Sequence, residues 1–250
     1  MHKRALQLDS RLSAALQMAM PFEISADIGA DHGQLSAFIL LNQLAKQALI
    51  ADVSDKALEK ARKCIHEYGL DDQAIFAVAD GLDALGALSP LHADVIFILG
   101  MGGETMSGIL KRGALGLHGA TLILGAHTEI PLVRQTIQEI GYQITDEDVA
   151  KVDRFSYILM KCQPAANAQV RYTQRELLLG PILLQTYPAL WTAMLARKKA
   201  SLEQGIRAMS ASTAQIHAMR LEQFRLELDY VDDALKQATL HNPDEESEFS

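Results

Sequence analysis

The sequence predicts an α/β protein: a mostly parallel, Rossmann-like seven-stranded sheet with helices on both faces, followed by an α-helical hairpin. Three observations carry this. Short apolar runs rich in β-branched residues alternate with helical patterns from Ile24 to Met160. Glycine and aspartate punctuate the ends of those runs. After Cys162 the alternation stops and a heptad seam takes over.

The elements follow in order. Leu12, Ala15, Leu16 and Ala19 recur at helical spacing, so a helix over Ser10 to Ala19 precedes the first strand, Ile24 to Ile28. Gln34 to Leu44 reads as a helix packed on that strand. Ala48 to Val53 is the second strand, with Asp52 at its end. Asp55 is placed to cap a helix over Lys56 to Tyr68, which Gly69 stops. Ile75 to Val78 is the third strand, followed by Asp80-Gly81. Asp94 to Leu99 is the fourth, nearly all apolar, as befits a strand buried on both faces. Gly100-Met101-Gly102-Gly103 follows at once and leads into a helix over Glu104 to Lys111. Thr121 to Leu124 is the fifth strand, and Leu132 to Ile140 a helix. Thr145 to Val152 and Phe155 to Met160 complete the sheet. Only Asp153 and Arg154 separate them, which is hairpin spacing, so an antiparallel pair closes the parallel sheet.

Gln163 to Gln169 is a polar linker. Beyond it, Leu221, Phe224, Leu228, Val231 and Leu235 step by three and four. Trp191, Leu195, Lys198, Leu202 and Met209 form a looser seam, and Ser212 or Thr213 can cap the second helix. The expected organisation is a catalytic domain over 1–162, a coiled-coil-like hairpin over 170–240, and a disordered acidic tail over 241–250. The hairpin is open between support or dimerisation on one hand and substrate binding on the other.

The chain has 250 residues, of which 49% are hydrophobic and 22% charged, enough to bury a sizeable core. No apolar run is long enough to span a membrane. Met1-His2-Lys3-Arg4 has no apolar core behind it, so no export signal is read and a cytoplasmic protein is expected. Cys64 and Cys162 stand far apart without metal-ligand spacing, so reduced thiols and no metal site are expected. The net charge of −8 is unevenly spread, since Asp244, Glu245, Glu246 and Glu248 crowd the tail. A basic face for a nucleic acid is therefore compatible with the acidic total.

The turn after the first strand reads Asp27-Ile28-Gly29-Ala30-Asp31-His32-Gly33. A dinucleotide fingerprint would read G-x-G-x-x-G and offer a helix N-terminus to a pyrophosphate. Here Asp27 precedes the first glycine and Asp31 lies between the two, and carboxylates repel a pyrophosphate. They suit a nucleoside ligand with a cationic amino group, such as S-adenosylmethionine (SAM). In open α/β sheets ligands bind beyond the carboxyl ends of the strands. Asp52, with Val53 after it, closes the second strand where a ribose-binding acid is expected, its carboxylate able to accept both hydroxyls. Asp80-Gly81 after the third strand can meet an adenine amino group, and the strip from Gly100 to Gly103 gives a substrate room to approach. His32 is open between a base and a loop histidine bonded to backbone, and so is His127 after the fifth strand.

Asp27-Ile-Gly-Ala-Asp-His32, Ala79-Asp-Gly-Leu82 and Leu99-Gly-Met-Gly-Gly103 together resemble the bacterial tRNA adenine-N1 methyltransferases that modify adenine 22. The opening Leu8-Asp-Ser-Arg-Leu12 and the later Leu179-Gly-Pro-Ile-Leu-Leu184 are similar to that family too. The resemblance implies a class I SAM-dependent methyltransferase domain with a C-terminal helical hairpin, acting on tRNA. It implies that Asp27 and Gly29 line the methionine end of SAM, that Asp52 holds the ribose, and that Asp80 and Gly81 hold the adenine. Asp31, His32 and Val53, which adjoin these residues, are candidate cofactor contacts as well. Gly100 to Gly103 would then border the target base. From their places at the strand ends, Asp27, Gly100, Met101, Gly102 and His127 are the candidate catalytic residues, and Gly100 is a candidate cofactor contact too. One departure stands out: where the family carries a Gln-Pro-Asn-like sequence, this chain has Gly125-Ala126-His127.

Adenine N1 carries a lone pair, so the reaction needs placement and tolerance of positive charge rather than a dedicated base. N1 is hidden in a Watson–Crick pair, so the nucleotide must be unpaired or flipped out. Candidate RNA contacts are Lys3, Arg4, Arg11, Arg171, Arg175, Arg197, Lys198 and Lys199. Two alternatives remain: a methyltransferase of this fold acting on a small molecule or another RNA base, and a non-catalytic RNA-binding or scaffolding protein.

Overall fold

The computed structural model describes residues 6–30, 32–166, 170–210 and 218–241. Asp31, Lys3, Arg4, Ser212, Thr213 and the acidic residues 242–250 lie outside the described residues. Each apolar run becomes a strand. β1 (Ile24–Ile28), β2 (Gln47–Asp52), β3 (Ala74–Val78), β4 (Val95–Met101) and β5 (Thr121–Ala126) pair in parallel. β6 (Tyr142–Val152) and β7 (Phe155–Pro164) are antiparallel to one another, and β7 to β5. The order is β3-β2-β1-β4-β5-β7-β6. The strand order reverses at β1, with β2 and β3 laid down to one side and β4 and β5 to the other, and such a switch point opens a crevice at the carboxyl ends.

Helix α1 (Ser10–Ala19) starts where the Asp9 carboxylate accepts from the Leu12 amide at 2.8 Å. Its Ala15, Leu16, Met18 and Ala19 are buried in one cluster with Leu35, Ile39, Val95, Phe97 and Ile123. Helix α2 (Gln34–Leu41) is shorter than the expected Gln34 to Leu44. Asn42 Nδ2 donates to the Phe38 carbonyl, Gln43 takes a positive φ of 55°, and the Leu44 amide turns back to Ile39 O, which together end the helix. Helix α3 (Asp55–Tyr68) is capped by the Ser54 hydroxyl, not by Asp55, which sits in the first turn and pairs with Arg62 at 2.9 Å. Gly69 stops it, as expected. A 3-10 segment over Gly81–Leu88, unannounced by periodicity, follows β3.

Helices α4 (Gly103–Gly113) and α5 (Ile130–Glu139) pack on one another. Arg134 of α5 and Glu147 of β6 form a fully buried ion pair at 2.8–2.9 Å that ties α5 to the sheet. Strand β7 runs to Pro164, and the Tyr172 hydroxyl accepts from the Ile144 amide at 2.7 Å. This compact unit therefore extends to Tyr172, and a second covers Thr173–Ser250.

The second unit opens with two short helices, α6 (Gln174–Leu179) and α7 (Leu183–Thr186). A capping box between Thr173 and Glu176 starts α6. Helices α8 (Ala189–Ser210) and α9 (Ala218–His241) form an antiparallel hairpin. Trp191, Leu195 and Leu202 are buried on α8, and Val231, Ala234 and Ala238 on α9. Lys198–Glu227 at 3.1 Å and Lys199–Asp232 at 2.7 Å flank that seam. No described helix is long and apolar enough to cross a membrane.

Candidate functional site

Asp27 is the next-to-last residue of β1 and is almost fully buried. Its Oδ2 accepts from the Ser36 hydroxyl of α2 at 3.1 Å. Burial pushes its pKa up to about 6, against the Ser36 hydrogen bond and the Arg11 guanidinium, while the Asp52 charge adds to the rise. The chain then turns at Gly29, whose φ is +77°. The amides of Gly29 and Ala30 both donate to Ala51 O, at 2.8 and 3.1 Å, and fasten the turn to the end of β2. A Cβ on Gly29 would stand 3.0 Å from the Met101 methyl, so the thioether lies over this loop.

The loops after β4 and β5 are locked together. His127 N donates to Met101 O at 3.0 Å, and Gly103 N to Thr128 O at 3.1 Å. A Cβ at Gly103 would fall 2.4 Å from Thr128 O, so only glycine permits this backbone approach. The Arg11 guanidinium and the His127 imidazole converge over Gly100. Arg11 also lies 5.3 Å above the Tyr157 ring, and His127 meets that ring edge-on at 5.4 Å between centroids.

A cavity of about 220 Å³ opens between the start of α1, the Gly29 turn and the ends of β4 and β5. Asp27, Gly29, His32, Gly100 and His127, all expected from sequence, line it together. Met101 reaches over Gly29, and Gly102 is the N-cap of α4. Asp52, Val53, Asp80 and Gly81 stand outside the cavity, at the ends of β2 and β3. Asp52 Oδ1 accepts from Ser54 N at 2.9 Å, and Val53 beside it is 73% exposed. Both Asp80 oxygens face Arg112 Nη2, at 3.0 and 3.1 Å. Asp31 lies outside the described residues.

Two residues escape sequence reasoning in their proper role. Arg11, expected at an RNA surface, is a wall of the cavity beside Asp27, and Tyr157, which packs against the lining residues Arg11 and His127, was not singled out at all. Position 11 precedes the glycine turn by a whole helix, and no spacing rule links the two. The other RNA candidates divide. Arg175 pairs with Asp233 at 2.8 Å, and Lys198 and Lys199 are held in the hairpin ion pairs, whereas Arg171 and Arg197 are exposed. Among the described residues there is no cluster of three or more metal-binding side chains.

The geometry can be set beside known proteins. The profile of the tRNA (adenine(22)-N(1))-methyltransferase family, TrmK, matches residues 25–230. The tRNA (adenine(22)-N(1))-methyltransferase of Bacillus subtilis (strain 168) is 27% identical over 208 residues, spanning 80% of this chain and 86% of that protein. A solved structure of a Listeria monocytogenes serotype 4b protein superposes with a TM-score of 0.86 at 27% identity, covering 92% of this chain and all of that one. The structure of M. capricolum TrmK with S-adenosyl-homocysteine shares the fold, with a TM-score of 0.79 at 20% identity over 92% of this chain and 98% of that one. The match runs from the first strand through the glycine strip and into α9, and by it this chain belongs to the tRNA (adenine(22)-N(1))-methyltransferase family.

Proposed function

We propose that the cavity at the carboxyl ends of β1, β4 and β5 holds the methionine end of SAM and presents an unpaired adenine of tRNA to it, with adenine 22 as the target position. The chain is, by family, a SAM-dependent tRNA adenine-N1 methyltransferase. The observation that carries the residue-level reading is one cavity walled by both Asp27 and Arg11. An acid and a guanidinium in one small enclosure suit a zwitterionic amino acid, the ammonium toward Asp27 and the carboxylate toward Arg11. The Gly29 turn supplies the close backbone approach that such a ligand needs.

When bound, SAM supplies an electrophilic methyl group. The remaining tasks belong to the chain. Asp52 offers a carboxylate to the ribose hydroxyls. Val53 and Val78, 73% and 53% exposed, offer apolar surface beside the nucleoside. Asp80 can take the adenine amino group because its pair with Arg112 is solvent-exposed, worth about 0–1 kcal/mol, and yields easily. The Gly100–Gly103 backbone, His127 and Tyr157 border the target base. No general base is required, because neutral adenine N1 already has its lone pair. Positive charge developing on the base is met by the Asp27 carboxylate and the Tyr157 ring face.

The departure at Gly125-Ala126-His127 favours one second reading, a different target base for the same chemistry. One experiment separates the two. The chain is incubated with isotope-labelled SAM and unmodified tRNA, and the digested RNA is analysed by mass spectrometry. Label in 1-methyladenosine is expected. Label in another nucleoside would assign His127 to a changed specificity, and no label from SAM-bound protein would refute tRNA as the substrate.

A further inference from the structure

The strands of the terminal hairpin are longer than the sheet they join. β7 pairs with β5 at Leu122–Cys162, Ile123–Lys161 and Leu124–Met160, and β5 ends at Ala126. Antiparallel counting from there puts Tyr157 level with His127, and the segment from Ser156 back to Asp153 overhangs the carboxyl end of the sheet. The overhang is held firmly. Val152 pairs with Phe155 across a two-residue turn, and the Ser10 hydroxyl at the start of α1 donates to Lys151 O.

Phe155 and Tyr157 are two residues apart on one strand, so their side chains leave the same face of the sheet. Tyr157 backs the cavity from behind its lining, in contact with two of the lining residues, His127 and Arg11. Phe155 is one step further out, 54% exposed, with the Arg154 guanidinium 5.0 Å from its ring centre. Two aromatic–cation pairs thus stand in line, Tyr157 with Arg11 against the cavity lining and Phe155 with Arg154 further out. Arg154 is uncommitted electrostatically: among the described residues it forms no ion pair, unlike Arg175, Lys198 and Lys199 of the helical unit. What distinguishes Phe155 from an ordinary exposed apolar residue is its setting: it stands beside a guanidinium and in line with Tyr157, at the carboxyl end of the sheet. Folding does not need it there, since Phe155 is outside the buried core.

We propose that this hairpin tip is an RNA-stacking platform, on which Phe155 and Arg154 receive an unpaired base flanking the target adenine while Arg154 meets its phosphate. The inference rests on the tRNA reading above. Aromatic rings and guanidinium planes are the surfaces on which splayed-out bases stack, and the adjacent cation complements the backbone charge. The line from Phe155 to Tyr157 leads such a strand toward the cavity.

The test uses the full chain and steady-state methylation of tRNA, with SAM affinity measured in parallel by calorimetry. Phe155→Ala is expected to raise KM for tRNA, or lower kcat/KM, by about tenfold, as loss of one base stack does. Phe155→Trp should restore wild-type behaviour, and Arg154→Ala should weaken tRNA binding and flatten its salt dependence. SAM affinity should be unchanged in all three. A Phe155→Ala variant with wild-type tRNA kinetics overturns the platform, and so does one that loses SAM affinity in step with tRNA. A dimeric wild type made monomeric by Phe155→Ala, with tRNA kinetics intact, would assign the tip to a second copy of the chain and equally overturn it. If the wild type itself methylates no tRNA, it is the function that fails, which is a distinct result.

Discussion

The two ends of the central sheet each carry a cavity, and they differ in kind. At the amino ends of β4 and β5 the cavity is the larger, about 300 Å³, with walls that include Leu82, Leu85, Leu88, Leu91, Ile96 and Leu117. Its polar contribution is chiefly His92 and His118, stacked at 3.9 Å between centroids. At the carboxyl ends the cavity is smaller, about 220 Å³, yet holds Arg11, Asp27, His32 and His127. Volume therefore does not mark the site. What marks it is convergence of opposite charges and close backbone, which in a parallel sheet only the carboxyl-end loops supply. The amino end reads as packing that supports the sheet.

The sharpest way to break this comparison is at the amino end. Leu88 is 3% exposed there, so Leu88→Ala should cost about 2–4 kcal/mol of stability. In the fraction that stays folded, SAM affinity should stay within about twofold of wild type, since the site is distant enough for additivity. Chemical denaturation and calorimetry read the two quantities separately. A folded variant that binds SAM poorly would join the two ends functionally and undo the distinction.

At the carboxyl end the pattern should invert. Asp52→Ala removes an acceptor from the end of β2, and its other hydrogen bond is a local one to Ser54. SAM binding should weaken by roughly tenfold or more, as expected for losing a charge-assisted hydrogen bond, while the unfolding midpoint barely moves. Unchanged SAM affinity would remove Asp52 from the site.

The sequence made the scaffold readable because burial leaves a periodic record. Val95 to Ile98 are buried on both faces and read as one apolar run, and the two-residue spacing at Asp153-Arg154 marks a hairpin. The glycine turn at Gly29 and the strip at Gly100–Gly103 were legible for the same reason, since backbone demands restrict residue type. Arg11 and Tyr157 were not, because they reach the site through tertiary packing of α1 on β7. Nor was β7's insertion between β5 and β6, since hairpin spacing fixes a pairing but not its place in the sheet. The Arg134–Glu147 pair left no trace either, as a buried charge looks like a surface one until its partner is known. The lysines of α8, candidates for RNA contact from sequence, pair with Glu227 and Asp232 across the hairpin, and no spacing rule announced those partners.

Asp27 carries the central claim, that a buried carboxylate meets the ligand's ammonium group. Its pKa is raised from 3.8 to about 6 in the fold. Its contribution to stability is therefore full below about pH 4 and is lost as pH rises through about 6, because the folded chain keeps a proton that the unfolded chain releases. Ligand binding has the opposite sign, since the ammonium needs the carboxylate. Arg11, Asp52, His32 and His127 share the surroundings, so the Asp27→Asn variant is required to isolate the effect. The decisive measurement is calorimetric titration of wild type and Asp27→Asn with SAM and with 5′-methylthioadenosine, which lacks the amino-acid end. Wild-type affinity for SAM should rise about tenfold from about pH 5 to about pH 7, Asp27→Asn should show no such rise, and 5′-methylthioadenosine should bind both alike. An Asp27→Asn variant that keeps the rise, or that loses both ligands equally, would contradict the account.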